Sequence, residues 1–181
     1  MEFQAQAMLK SLMPLEQLLR EDLEYICRSL EREFADMAGS RLLITGGGGF
    51  LGYYLVQAAL YWNSTRARGN AIAVTVYDNY MRGVPQWLES LRGSSGLSLV
   101  RQDMILPLPA DMGHFDYIIH AAGIASPTVY RKYPLKTIDA NINGLRNLLE
   151  HCRTRVNKPN PVRGFSGNAV GKPDSMASHR R

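Results

Sequence analysis

The chain has 181 residues, 45% of them apolar and 20% charged, which suits one globular domain and excludes disordered, collagen-like and coiled-coil classes. No run approaches the roughly 20 consecutive apolar residues that span a bilayer, and the acidic N-terminus lacks the basic and then apolar segments of a secretory leader, so a cytoplasmic protein with no membrane partner is expected. The net charge of +5 divides into −4 over residues 1–40, +3 over 41–150 and +6 over 151–181, and the tail that carries most of it has dispersed cations with only Phe165 among them, a pattern that argues against nucleic acid. Cys27 and Cys152 stand far apart without CxxC or Cys/His ligand spacing, so neither a disulfide framework nor a metal site is expected.

Taken in chain order, the apolar residues Met8, Leu12, Leu15, Leu19, Leu23, Ile26, Leu30, Phe34 and Met37 recur every three or four positions. That period predicts one long amphipathic helix, regular from about Pro14 and ending before Gly39-Ser40, which makes residues 1–40 a helical extension. Its apolar stripe either packs on its own domain or is offered to a partner. Short apolar runs then alternate with helical stretches: a strand at 41–45 (RLLIT), a helix at 51–62, a strand at 71–77 (AIAVTVY) and a helix at 84–91. Strands at 97–101 (LSLVR) and 115–120 (FDYIIH) follow, and then a helix at 133–153 interrupted near its start. Buried strands separated by helices predict an α/β fold, a Rossmann-type doubly wound parallel sheet over residues 41–156. Residues 157–181, rich in Pro, Gly, Ser and cations, read as an irregular basic tail. The sheet is therefore expected to stop after strand 4 or a rudimentary strand 5 near 162–166.

The stretch that points to chemistry is Thr45-Gly46-Gly47-Gly48-Gly49-Phe50-Leu51-Gly52, between a strand and a helix. Gly46, Gly49 and Gly52 have the spacing of a phosphate-binding turn: the first for the sharp exit from the strand, the second for close approach of a pyrophosphate, the third for packing of helix on sheet. The helix N-terminus behind them offers N–H groups and partial positive charge to phosphates. Asp78 ends the second strand, where a carboxylate accepts from ribose hydroxyls and repels a 2′-phosphate, so NAD is expected over NADP even with Arg82 nearby.

TGGGGFLG at 45–52, DNYMRG at 78–83, Gln102-Asp103-Met104 and HAAGIASP at 120–127 with Tyr130, Pro134, Asn141 and Gly144 together resemble the extended short-chain dehydrogenases. Within them they resemble the NAD-dependent nucleotide-sugar epimerases and dehydratases, in particular the UDP-glucuronate decarboxylases. The likeness covers about residues 41–150. It implies that Gly46, Gly49, Phe50 and Leu51 surround the pyrophosphate, that Asp78, Asn79 and Gly83 hold the adenosine ribose, and that Asp103 and Met104 flank the adenine. Ala121, Ala122 and Gly123 would line the path to the nicotinamide ribose, with Ser126 and Tyr130 toward the sugar nucleotide. His120 is expected to be a satisfied core histidine and Asn141 a backbone bridge.

The same family uses a Tyr-x-x-x-Lys pair as acid/base, and none of the nine tyrosines here has lysine four residues on. No catalytic residue is therefore assigned. The expectation is an NAD-binding portion of a nucleotide-sugar enzyme, not competent alone, with a complementing C-terminal fragment or a second copy as partner. A non-catalytic module acting through the N-terminal helix is the alternative.

Overall fold

A computed structural model describes residues 14–124 and 127–155 together with two further strands, 163–166 and 169–170. The elements in order are α1 (Leu15–Ser29), α2 (Glu31–Met37), β1 (Arg41–Thr45), α3 (Phe50–Thr65), β2 (Ala73–Asp78), α4 (Gln86–Glu89), β3 (Leu97–Arg101) and β4 (Tyr117–His120), followed by α5 (Pro127–Lys132), α6 (Pro134–Arg155), β5 (Arg163–Ser166) and β6 (Ala169–Val170). The strands form one sheet in the order β3-β2-β1-β4-β5-β6, parallel except for β6. This is the doubly wound arrangement the alternating pattern predicts, with the order reversing between β1 and β4.

Successive residues of β1 point to opposite faces, and each face has its own core. Leu42 and Ile44, with Val74 and Val76 of β2, pack with Val56, Ala59 and Trp62 of α3 and with Leu23, Cys27 and Phe34 of α1 and α2. Leu43, with Tyr77 and Ile118, packs with Met104, Met112, Phe115 and Leu148 of α6 on the other side. Helices thus cover both faces, which is why strands such as LLIT carry no polar alternation.

The predicted single N-terminal helix is two, broken at Leu30, where φ −115° and ψ 31° leave helical geometry. No proline or glycine causes this. The bend turns Phe34 onto Trp62, stacked at 5.3 Å between centroids, and brings the Asp36 carbonyl within 3.0 Å of the Tyr117 hydroxyl, which donates to it. Polar links flank the apolar seam: Tyr54 donates to Asp22, Tyr61 to Glu24, and Arg66 pairs with Glu24. Met8 and Leu12 of the stripe lie outside the described residues; of the rest, Leu19, Leu23, Ile26, Phe34 and Met37 pack in the core with α3, while Leu15 and Leu30 are exposed.

Other boundaries shift for local reasons. The helix predicted at 84–91 is confined to Gln86–Glu89, because Pro85 holds an extended conformation ahead of it. The interrupted helix resolves into α5 and α6, parted at Tyr133 just before Pro134. Within the tail, the rudimentary fifth strand is Arg163–Ser166, paired parallel with β4, and the two-residue β6 turns back antiparallel to it. Among the described residues no helix is long and apolar enough to cross a membrane, and no group of three His, Cys, Asp or Glu side chains is placed to hold a metal ion.

Candidate functional site

The carboxyl ends of β1, β2 and β4 converge where the strand order reverses, and every residue singled out from the glycine motif lies there or beside it. Gly46 leaves β1 with φ +69° and donates its N–H to the Tyr77 carbonyl at 2.7 Å. A Cβ there would sit 2.5 Å from the Ala122 nitrogen, so the turn lies directly on the segment that follows β4. Gly49 is the N-cap of α3 and no side chain caps the helix, nor is there an acid in its first turn. The first-turn N–H groups of Phe50, Leu51 and Gly52 therefore have no intrahelical acceptor, and helix ends of this kind attract anions. Phe50 is 87% exposed and Leu51 more than half, two apolar side chains flanking that end.

Asp78 closes the cradle from β2. Its Oδ2 accepts the Gly48 N–H at 3.0 Å and its Oδ1 the Tyr80 N–H at 2.8 Å, which leaves one lone pair on each oxygen for a further donor. Asn79 donates to Asp103 Oδ2 at 3.3 Å and accepts the Met81 N–H, so Asp78, Asn79 and Asp103 form one polar rim. Gly83 sits at φ +82° at the end of this loop. Met104 points the other way: its side chain is buried in the second core, and its carbonyl accepts from Asn147 Nδ2 at 2.8 Å. Only its backbone borders the rim.

On the β4 side, Ala121 donates its N–H to the Thr45 carbonyl at 3.0 Å. A Cβ on Gly123 would lie 2.8 Å from Asn141 Oδ1, the atom that accepts the Ile124 N–H at 3.0 Å, so Asn141 bridges backbone. His120 is only half satisfied: Nδ1 lies 2.7 Å from Thr45 Oγ1, while the buried Nε2 has no partner among the described residues. Tyr130 is exposed on α5, and Ser126 lies outside the described residues.

Two neighbours of the site escape the motif spacing. Gly48 is held through its own N–H by Asp78, and the four-glycine run is its only signal in the sequence. Tyr80 is buried with its ring 3.4 Å from where a Gly48 Cβ would be, and it adopts φ +49°, a left-handed conformation rare for an aromatic residue. Asp78 stabilises that turn through the Tyr80 N–H, and the Arg101 guanidinium lies over the ring at 5.7 Å.

Fold and turn together define an α/β domain of the Rossmann type with a glycine-lined helix end at its switch point. The chain belongs to the NAD dependent epimerase/dehydratase family, whose sequence profile matches residues 42–178. It is 36% identical over 109 residues to UDP-glucuronic acid decarboxylase 6 from Arabidopsis thaliana, covering 60% of this chain and 29% of that protein. With UDP-glucuronic acid decarboxylase 1 from Xenopus tropicalis it shares 31% identity over 137 residues, 72% of this chain and 30% of the relative. A UDP-N-acetylglucosamine 4-epimerase from Methanobrevibacter ruminantium M1, solved with UDP-N-acetylmuramic acid, superposes with a TM-score of 0.51 at 25% identity, covering 68% of this chain and 36% of that one. The dTDP-glucose 4,6-dehydratase DesIV from Streptomyces venezuelae shares the fold, with a TM-score of 0.52 at 24% identity over 61% of this chain and 34% of its own. The chain spans about 30% of the length of these curated relatives.

Proposed function

We propose that this chain is the NAD-binding portion of a nucleotide-sugar epimerase, dehydratase or decarboxylase and does not turn over substrate by itself. The observation that carries the reading is the uncapped N-terminus of α3 behind Gly46, with the Asp78 carboxylate bound to the turn through Gly48. In this reading Gly46, Gly49, Phe50 and Leu51 hold the pyrophosphate, and Gly52 lets α3 approach closely enough to serve it. Asp78, Asn79 and Gly83 take the adenosine ribose, and Asp103 and Met104 border the adenine, Met104 through its backbone. Ala121, Ala122 and Gly123, all small or held against the turn, leave room for the nicotinamide ribose. The bound cofactor would supply hydride exchange with a sugar carbon.

Nothing in the chain supplies the Tyr-x-x-x-Lys acid/base pair, whose class of contribution is roughly 10²- to 10⁴-fold. A complementing C-terminal segment that brings the pair and a nucleotide-sugar pocket therefore completes the enzyme. A reducing cytoplasm suits the two free thiols, of which Cys27 is sealed between α1 and α3 with its pKa pushed up to about 11 by burial.

The second copy expected of a homo-oligomer fits α6. Leu135, Ile138, Ile142 and Leu149 are exposed there, and with the half-buried Leu145 they form an apolar stripe recurring every three or four residues. Two copies related by a two-fold axis would bury such a stripe against itself. Ile142→Glu is expected to shift the chain to monomer in light scattering at micromolar concentrations; an unchanged mass excludes this face.

Calorimetric titration tests the cofactor reading. NAD is expected to bind, NADP more weakly, and Asp78→Ala to weaken NAD by about 10- to 100-fold, the effect of losing charge-assisted hydrogen bonds. Equal binding of NADP, or no binding of NAD by folded protein, overturns it.

A further inference from the structure

Thr45 is the last residue of β1 and His120 the last of β4, and the two are partners in register. One residue later each strand enters the site, at Gly46 and at Ala121. Thr45 is fully buried and His120 is 5% exposed, so their 2.7 Å hydrogen bond is made beneath the site and away from water. The Ala121 N–H to the Thr45 carbonyl and the close seat of Gly46 on Ala122 join the same two segments above it.

We infer that His120 is a positioning residue: through Thr45 it locks the glycine turn to the segment after β4, so that the two sides of the cradle hold one spacing. This rests on the cofactor reading only for what the cradle holds.

Either tautomer of the ring can make this bond, since the Thr45 hydroxyl both donates and accepts; the buried Nε2 has no partner among the described residues. Among the described residues β1 brings Thr45 to the ring and α6 brings Gly144, neither of them charged. Burial alone lowers the histidine pKa beneath its ordinary value near 6.5. As pH falls through that window the unfolded chain takes up a proton that the folded chain resists, so stability present above about pH 6.5 is lost on acidification.

The experiment follows two readouts in wild type, Thr45→Val and His120→Gln: NAD affinity, and amide hydrogen exchange of 46–49 and 121–124. At pH 7.5 both variants are expected to weaken NAD by roughly tenfold and to speed exchange in the two segments together, with β2 unchanged, and Thr45→Ser to restore both readouts. Unchanged exchange in the near-isosteric Thr45→Val overturns the inference. Absence of NAD binding by the wild type overturns the cofactor reading instead, and the exchange data still decide the role of His120.

Discussion

Gly52→Ala is expected to lower stability by about 2–3 kcal/mol, the range for overpacking against an interior that cannot yield, and to abolish measurable NAD binding. A Cβ at position 52 would stand 2.1 Å from the Gly47 carbonyl oxygen and 2.4 Å from its carbon. These are backbone atoms of the turn itself, so relief requires α3 to move away from β1, and the helix N-terminus moves with it. The other motif glycines make an internal control. Gly49→Ala meets only the Gly46 oxygen, at 3.1 Å, and Gly83→Ala meets nothing within 4 Å, which leaves only the strain of φ +82°. Thermal melts beside NAD titrations of the three variants check the order; Gly52→Ala within 0.5 kcal/mol of wild type contradicts it.

Trp62→Ala is expected to cost about 3–5 kcal/mol, a large share of the margin of an ordinary domain. Trp62 joins α3 to the extension through the Phe34 stack and lies in the larger core with Leu23 and Cys27. Its buried Nε1–H has no partner among the described residues, so Trp62→Phe removes that donor along with some volume and is expected to cost about 1–2 kcal/mol. Urea midpoints of both variants read this directly. A Trp62→Ala chain as stable as wild type means that the extension packs on α3 without contributing to the fold, and the helix returns as a candidate partner surface.

The strands RLLIT and LSLVR are visible in the sequence at their observed bounds because each is a short apolar run closed by polar or glycine residues. The glycine turn is visible for a related reason: close approach of backbone to backbone at Gly46 and Gly52 leaves no room for any other residue. What escapes is set by distant contacts. Leu30 carries no helix breaker, and its bend is fixed by Trp62 and Tyr117, which lie 32 and 87 residues further on. Tyr80 defies local preference at φ +49° because Asp78 and the Gly48 backbone hold it. The composition of β4 cannot tell that His120 has a partner on one nitrogen and, among the described residues, none on the other, since the answer depends on what distant elements such as α6 bring to the ring. Met104, placed by resemblance beside the adenine, is drawn by its side chain into the core.

One dinucleotide cradle formed by the carboxyl ends of β1, β2 and β4 must answer the cofactor as a unit. Titrating NAD into the ¹⁵N-labelled chain and following its amide resonances tests this most directly. Shifts are expected in 46–52, 78–83 and 121–124 that saturate together, with the amides of α1 unmoved. Shifts confined to one of the three segments or centred on α1, or a well-dispersed spectrum that NAD leaves unchanged, would contradict it.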